Sequence, residues 1–301
     1  MTSYNLGIYK YSSLYQSFES NLPINIRVDD ETATVEAILL RLLAGGVRVN
    51  DSKGNQIIQN INYFELPYSK KYYTFNYKNI STIFDENYDS NDLKNNPQFF
   101  NNYLNGNRKN HNVFEHVLLE LTTFMFSNVK SPIAGFANLY RCLEYISYCF
   151  PLVYAAKSKN YKGTYKQLHG FFNCDSQGEL KFFKTFLKTL IEDENIMDYP
   201  FDISLDKIEN LESFSTQCSQ IFRESSYEID GNAMKIKFIN ILDFFITTRN
   251  RYFHMKIGEG QNNFTPKDYN MDSFLEQLNF HLLNWISNII MAITRFSYTE
   301  T

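Results

Sequence analysis

The stretch MDSFLEQLNFHLLNWISNIIMAITRFSY, residues 271–298, carries the clearest structural signal in the chain. Its apolar residues recur every three to four positions, and neither Pro nor Gly interrupts them. This periodicity is typical of an amphipathic helix with one face in a protein core. The stretch therefore predicts one long helix near the end of the sequence.

Five further helical patterns lie ahead of it, starting at about residue 113. They cover residues 113–129, 133–159, 178–194, 204–226 and 232–255. Ser131-Pro132 is a good start signal for the second of them, and Pro151 predicts a kink or a break inside it. Six helices joined by short loops predict an α-helical bundle over residues 113–301.

Residues 1–84 have a different pattern, which predicts a small α+β domain. Four stretches rich in Ile, Val, Tyr or Phe are typical of strands. These stretches are INIRV at 24–28, VRVN at 47–50, QIIQNINYFEL at 56–66 and YYTFNYKNI at 72–80. The fold class predicted for the whole chain is therefore mainly α, with a small N-terminal α+β domain.

One helix is predicted in this first domain, over residues 31–44 between the first two strands. Asp30 or Thr32 can cap its start, and Gly45-Gly46 ends it. Further along, residues 85–112 are packed with Asn and Asp. Both residue types favour turns over regular structure, so this stretch predicts an Asn-rich connection between the two domains.

Composition excludes several classes of protein. Hydrophobic residues make up 44% of the 301 residues, which is enough for a buried core and excludes global disorder. The net charge of −4 argues against nucleic-acid binding through bulk positive charge, although a few local cations can still form a site. No apolar run is long enough to span a membrane, and the N-terminus does not have the pattern of a secretory signal. A cytoplasmic location is therefore expected.

The sequence has none of the common cofactor or metal motifs. There is no glycine-rich phosphate loop, no H-E-x-x-H and no G-x-S-x-G. The four Cys form no C-x-x-C pair, and no His lies at zinc-ligand spacing from them. We therefore expect no cofactor and no metal, and we interpret the Cys residues as small thiols in a reducing compartment.

Three of the five His are interpreted as structural or surface residues. His116 and Glu120 share a helix face, but no second His completes a metal site. His281 lies within the last apolar helix, where a hydrogen-bonded His at the edge of a core is the simpler interpretation. His169 follows a basic, Tyr-rich stretch and can be a surface residue.

His254 is the exception, because it follows Arg249 and Asn250 at the end of an apolar helical pattern. Arg249-Asn250-x3-His254 resembles the R-x(4–6)-H motif of the HEPN superfamily, in which the residue after Arg is often Asn, His or Asp. The earlier stretch SPIAGFANLYRCLEYISY, residues 131–148, resembles the HEPN core helix that packs against the motif helix. The resemblance covers residues 113–301 as a HEPN-like helical domain and is sharp only over 249–254.

The resemblance implies a metal-independent endoribonuclease that cuts RNA by attack of the ribose 2'-OH. His254 can move protons near neutral pH, and the Arg249 guanidinium can stabilise the charge that builds on the phosphate. Asn250 can orient its neighbour or a phosphate oxygen. Arg249 and His254 are about 140° apart on an ideal helix. One straight helix therefore does not aim both side chains at one point. Either the helix ends near the motif, or two copies of the chain share a composite site. HEPN ribonucleases resemble the second case, so the resemblance implies a homodimer.

Four flanking residues are weaker candidates for RNA binding or support. Arg251 and Lys256 can hold RNA phosphates or simply form a solvated helix end. Tyr252 can stack on a base or pack in the core. Glu144 can be a polar residue near the site, as on that helix of some HEPN proteins, or one half of an ion pair with Arg141.

Many HEPN ribonucleases act in antiviral defence, in abortive infection or as toxins, and the resemblance implies a similar role here. Residues 1–110 would then sense a trigger or bind an antitoxin or another defence-system partner. In some HEPN toxins the motif continues as H-x-Y, but position 256 is Lys, which argues against neutralisation by modification of that Tyr. The alternatives are a non-catalytic HEPN-fold binding or dimerisation module, and a helical scaffold with an accidental motif.

Overall fold

The structure is a computed structural model of the full chain. The residues it describes are 4–14, 28, 33–64, 108–157, 160–172, 186–188, 190–191, 194–253, 263–264 and 271–299. They are mainly helical, as the sequence predicts, and they also contain small antiparallel sheets. Within the described residues no helix is both long enough and apolar enough to span a membrane.

The chain divides into two compact units. The first comprises Met1–Phe126 and Ile286–Thr301, and the second comprises Ser127–Trp285. The boundaries thus fall at residues 126/127 and 285/286, whereas the sequence analysis set them around the Asn-rich connection. Residues 85–107 of that connection lie outside the described residues.

The helices of the described residues range in length from four to 29 residues. They are α1 (Val35–Ala44), α2 (His111–Asn128), α3 (Pro132–Ser147), α4 (Cys149–Lys157), α5 (Tyr161–Phe172), α6 (Glu194–Met197), α7 (Leu211–Ile221), α8 (Ile241–Tyr252) and α9 (Met271–Thr299). Short 3-10 turns cover Arg108–Asn110, Glu224–Ser226 and Phe238–Asn240. The long helix predicted at 271–298 is confirmed as α9, and the one predicted at 113–129 is confirmed as α2.

The first unit contains a four-stranded antiparallel sheet in the order β1 (Tyr4–Leu6), β2 (Tyr9–Ser13), β3 (Val47–Asp51) and β4 (Gln56–Gln59). Strand β3 was predicted, and β4 covers only the start of the strand predicted at 56–66, since residues 60–64 are not in a strand. The β1–β2 hairpin was not predicted. The predicted strand 72–80 lies outside the described residues, and so does 24–28 except for Val28.

Helix α1 starts later than predicted, at Val35. The side chain of Thr34 accepts a hydrogen bond from the Ala37 N–H, so Thr34 is the N-cap in place of Asp30 or Thr32. All ten residues of α1 are buried, including the charged Glu36 and Arg41. The carboxylate of Glu36 lies 3.2 Å from Nδ1 of His111, while Arg41 donates to the backbone beyond the end of the helix.

The second unit contains a three-stranded sheet that the sequence analysis did not predict. Its strands lie in the order β5 (Pro200–Ser204), β7 (Ala233–Lys237) and β6 (Glu228–Asp230). The prediction of helix for residues 204 and 232–237 was therefore wrong. Met234 and Ile236 are buried while Lys237 is exposed, an alternation that belongs to a strand.

Two other predicted helices differ in extent. The pattern at 133–159 divides into α3 and α4 at Tyr148, so the chain breaks three residues before Pro151. The pattern at 204–226 is helical only over Leu211–Ile221, where the Asn210 side chain caps the start by accepting from the Ser213 N–H. Of the pattern at 178–194, residues 186–188 and 190 are helical, while residues 178–185 lie outside the described residues.

The core of the second unit is rich in aromatic side chains. Trp285 is fully buried, and its indole N–H donates to the carbonyl of Phe238 at 3.1 Å. Phe238 begins the 3-10 turn that leads directly into α8. The start of the helix that carries the Arg-Asn motif is therefore anchored to α9 through a buried hydrogen bond.

Candidate active site

The motif helix α8 ends inside the motif. The N–H of Phe253 donates to the carbonyl of Arg249 at 2.9 Å and closes the last turn, with Tyr252 as the final helical residue. One of the two alternatives left by the sequence analysis, a helix that ends near the motif, is thus what the structure has. His254 and Lys256 lie outside the described residues.

Arg249 is half-buried in the last turn of α8 and contacts Tyr140 and Asn250 among the described residues. Its guanidinium carbon lies 4.8 Å from the ring centroid of Tyr140 in α3. Its Nη1 group donates to Oδ1 of Asn250 at 2.9 Å. A cation over an aromatic face is attracted by the ring quadrupole, so Tyr140 fixes the position of the charge.

Aromatic packing between α3 and α8 holds this arrangement in place. Phe245 is fully buried and meets the rings of Phe136 and Tyr140 edge-on, with centroid distances of 4.9 and 5.6 Å. Phe253 stacks on Phe136 at 6.0 Å. Residues four apart on a helix share a face, so Phe245, Arg249 and Phe253 form one stripe toward α3.

The Asn250 amide is oriented by its neighbour. Because its Oδ1 accepts from Arg249, its Nδ2 group is the part that can donate to a ligand. An arginine carries five N–H donors in a rigid fork, and the bond to Asn250 uses one of them. The predicted pair Arg249–Asn250 is therefore brought together at the end of α8.

Arg251 is placed differently from Arg249. Two positions along a helix correspond to about 200°, so Arg251 lies on the other side of α8. Its carbonyl accepts from the N–H of Phe264 at 3.1 Å. Its Nη1 atom is buried and has no hydrogen-bond partner among the described residues. Only part of this guanidinium is thus open to a phosphate.

Tyr252 is half-buried, and its ring meets that of Phe253 edge-on at 5.1 Å. Burial raises the pKa of its phenol, and the nearby carboxylate of Asp272 adds to the effect. The phenol therefore stays protonated across the neutral range. A ring in this setting can offer at most part of one face to a base.

Glu144 is exposed on α3, one turn beyond Tyr140. Residues four apart share a helix face, so Glu144 lies on the side of α3 that carries the partner of Arg249. Its backbone carbonyl accepts from the Ser147 hydroxyl at 2.7 Å. The carboxylate is thus on the correct face of α3 for the supporting role predicted for it.

The other His differ in environment. His116 and His169 are exposed. His281 is half-buried between the rings of Phe201 and Phe280, and burial lowers its pKa to about 4. It is therefore neutral at pH 7, as the interpretation of a core-edge His requires. Within the described residues, no cluster of three or more His, Cys, Asp or Glu can hold a metal ion.

A polar groove beside α7 was not foreseen from the sequence. It has a volume of about 560 Å3. Its lining consists of Asn210, Glu212, Ser213, Thr216, Gln217, Gln220 and Asn263. Nε2 of Gln217 donates to the Asn263 carbonyl at 2.7 Å. These groups are amides, hydroxyls and one carboxylate, so the described part of the lining contains no cation that could hold a phosphate.

The sequence analysis also did not identify Tyr140 as the partner of Arg249. A signal was present, since Phe136 and Tyr140 are four apart on the helix expected to pack against the motif helix. Spacing alone does not choose which side chain of a neighbouring helix meets the guanidinium. The contact between α3 and α8 is needed for that.

No family model, no curated protein and no solved structure matches this chain.

Proposed function

We propose that this protein is a metal-independent endoribonuclease of the HEPN type, with Arg249, Asn250 and His254 at its active site. The observation that carries the proposal is the position of the Arg249 guanidinium. It lies at the end of α8, ordered by the Tyr140 ring and by Asn250, with most of its N–H donors unused by these contacts.

Arg249 would stabilise the transition state. When the ribose 2'-oxygen attacks the adjacent phosphorus, negative charge builds on the non-bridging oxygens. A planar guanidinium matches two such oxygens with parallel N–H donors. A cation already fixed in place needs little reorganisation as that charge appears, which is how preorganised electrostatics lower a barrier. Nδ2 of Asn250 would donate to the same phosphate.

His254 would transfer the protons. A neutral imidazole accepts the proton of the 2'-OH, the P–O5' bond breaks, and the leaving 5'-oxygen takes a proton. The products are a 2',3'-cyclic phosphate and a 5'-hydroxyl. The balance of this step requires no metal and no cofactor. A homodimer in which two motifs share one composite site is part of the proposal.

The HEPN-like fold of residues 113–301 belongs to the same proposal. The helices α2 and α9 support it because they lie where the sequence predicts them, and α3 and α8 each occupy part of a predicted helix. The small sheet of β5, β7 and β6 is an addition to a purely helical bundle. We further propose that the protein acts in antiviral defence or as a toxin, and that residues 1–110 bind the trigger or an antitoxin.

One observation favours a second candidate function, a non-catalytic HEPN-fold binding or dimerisation module. The contact between Arg249 and Tyr140 also ties α8 to α3, and a protein that cuts nothing can use it for that purpose. In this case Arg249 is a packing residue, and its removal affects stability alone.

The test is cleavage of total cellular RNA and of tRNA by the purified full chain in EDTA. Wild type, Arg249→Ala, Arg249→Lys and His254→Ala are compared, and the product ends are mapped. We expect cleavage by wild type with 2',3'-cyclic phosphate ends. We expect no cleavage by either Ala variant, and partial activity for Arg249→Lys, because Lys keeps the charge and loses the fork.

Two controls make the result decisive. Arg223→Ala removes an exposed Arg of the same unit and should leave cleavage unchanged. Circular dichroism and sedimentation establish that each variant is folded and has the wild-type oligomeric state. Equal cleavage by wild type and His254→Ala would exclude the proposed site, and a strict requirement for a divalent metal would indicate another mechanism.

A further inference from the structure

Helix α5, with the sequence YKGTYKQLHGFF, presents an unusual surface. Tyr161 is 89% exposed and Tyr165 is 68% exposed, although aromatic rings are normally covered. Lys162 and Lys166 are also exposed and follow these two Tyr directly. The two Tyr are four residues apart, and so are the two Lys. On a helix this spacing gives a row of Tyr and a neighbouring row of Lys along α5.

The Tyr row continues along the helix. His169 lies four residues after Tyr165, is exposed, and has its ring centroid 5.7 Å from that of Tyr165. Phe172, at the end of α5, is 63% exposed. Rings in a row with a rise of about 6 Å per turn form a ladder of aromatic faces.

The charge around this ladder differs from that of the whole chain. The net charge of the protein is −4, yet residues 145–174 contain no Asp or Glu. The same stretch contains Lys157, Lys159, Lys162 and Lys166. This stretch of sequence therefore carries a net positive charge, which favours an anionic ligand.

We propose that the α5 surface, defined by Tyr161, Lys162, Tyr165, Lys166 and His169, binds single-stranded RNA. Unpaired bases stack on aromatic rings while lysines hold the phosphates between them. A duplex hides its base faces inside the helix, so it cannot use such a ladder. The inference rests on the proposed ribonuclease function and names its substrate class.

The position of α5 in the chain is consistent with this role. Tyr140, the ring beneath Arg249, is followed by Glu144 on α3 and by Tyr148, the C-cap residue of α3, which is 69% exposed. These three residues are four apart and share one side, so an exposed ring lies about 12 Å along α3 from the Arg249 contact. From Tyr148 the chain continues through α4 into α5.

Filter binding of radiolabelled RNA oligonucleotides tests the inference. The strands carry 2'-O-methyl groups, which block attack by the 2'-oxygen and separate binding from cleavage. We expect Tyr161→Ala/Tyr165→Ala to weaken binding of a single strand at least tenfold, since each base–ring contact contributes about 1–3 kcal/mol. Tyr161→Phe/Tyr165→Phe keeps the rings and should stay within about twofold of wild type.

The Lys row is tested by the salt dependence of binding. We expect Lys162→Glu/Lys166→Glu to weaken binding and to reduce the slope of log affinity against log salt by about 1.4, which is about 0.7 for each lost phosphate contact. Lys53→Glu/Lys130→Glu changes the net charge equally at exposed positions outside α5 and should keep the wild-type slope.

Two outcomes would overturn the inference: unchanged RNA affinity in Tyr161→Ala/Tyr165→Ala, and no binding of any single strand by wild type. If RNA affinity is unchanged and the same variant loses binding to phosphatidylcholine–phosphatidylglycerol vesicles, the occupant is a membrane. If the variant instead loses self-association in sedimentation, the occupant is a second copy.

The two proposals can fail separately. Arg249→Ala should fail to cleave unblocked RNA, and adding Tyr161→Ala/Tyr165→Ala to it should still weaken binding of the blocked RNA at least tenfold. If Arg249→Ala cleaves normally while the Tyr variants lose RNA binding, the α5 surface stands and the proposed active site does not. If Arg249→Ala is inactive while the Tyr variants bind normally, only the α5 surface is excluded.

Discussion

Arg41 in the first unit and Arg249 in the second occupy the same place in their helices. Each lies three residues before the last residue of its helix, α1 or α8. In both, the N–H of the residue after the helix donates to the Arg carbonyl at 2.9 Å. The two side chains nevertheless have opposite environments.

The difference arises from the residues that come directly after each helix. After α1, Gly45 and Gly46 adopt φ of 93° and 80°, and the chain turns back toward the Arg41 side chain. The Gly45 carbonyl accepts from Nε of Arg41 at 3.1 Å, and the Gly46 carbonyl accepts from Nη2 at 3.5 Å. Arg41 is only 1% exposed. After α8, Phe253 stays in the right-handed region, and Arg249 remains half-buried over a ring.

This comparison separates a structural arginine from one that can act on a ligand. Arg41 donates to the carbonyls of the two glycines that follow its helix. Among the described residues, the Arg249 guanidinium donates to Asn250 and lies over the Tyr140 ring. The turn after each helix thus decides whether the guanidinium is enclosed by backbone carbonyls, and a ligand-binding role for Arg249 stays a proposal.

The largest effect is expected at Arg41. Arg41→Ala empties a buried site and removes the side-chain donor of the buried Gly45 carbonyl, so the free energy of unfolding should fall by about 4 kcal/mol. Urea denaturation followed by circular dichroism measures the loss. Arg223→Ala, at an exposed position, should cost no more than about 0.5 kcal/mol. Equal losses at the two positions would show that Arg41 does not have the structural role assigned to it.

Arg249→Ala should show the converse behaviour. We expect cleavage of RNA to fall about 100- to 1000-fold, as on loss of a group that stabilises the developing charge. The free energy of unfolding should change by only about 1 kcal/mol, because the side chain is half-buried and makes one cation–π contact. Single-turnover cleavage and urea denaturation of the same preparation measure both quantities. A large loss of stability with any loss of activity would make Arg249 a second structural arginine.

Gly45→Ala tests whether the turn after α1 creates the Arg41 site. A Cβ at Gly45 would lie 2.9 Å from the backbone carbon of Asn60, in addition to the strain of positive φ. We expect a loss of about 3 kcal/mol in the free energy of unfolding. Gly54 has a similar φ of 85° and open space around it, so Gly54→Ala should cost about 1 kcal/mol from strain alone. Identical losses would show that the close approach is unimportant.

The smallest effect is expected at Tyr140. Tyr140→Leu removes the ring beneath Arg249 and should lower kcat/KM for RNA about fivefold, since a cation–π contact at a partly exposed site contributes about 1 kcal/mol. Tyr140→Phe keeps the ring and should stay within about twofold of wild type. Rescue of activity by Phe distinguishes positioning through the ring from a role of the hydroxyl.

The sequence predicted those parts of the fold in which local pattern and tertiary environment agree. The long helix α9 and the helix α2 have uninterrupted apolar stripes, and both were located correctly. Strand β7 was assigned to a helix because its alternation spans only Ala233–Lys237 and merges into the apolar start of α8. A two-residue period over so short a stretch is masked by the longer helical pattern after it.

The candidate site was predictable as residue types and not as contacts. The spacing of Arg249 and Asn250 located the motif, and the structure places the two side chains in contact. The partner ring Tyr140 belongs to a helix far earlier in the sequence, and only the packing of α3 on α8 selects it. The polar groove beside α7 arises in the same way, because Asn263 reaches Gln217 across 46 positions.

The indole hydrogen bond at the start of α8 also provides an intrinsic fluorescent probe. Trp285 is the single Trp of the chain, so emission excited selectively at the indole comes from one known point. Its full burial and its bond to Phe238 give a blue-shifted emission that responds when the lead-in to α8 loosens. The tryptophan emission of an unlabelled sample, recorded while RNA is added, can therefore show whether the start of α8 stays attached to α9.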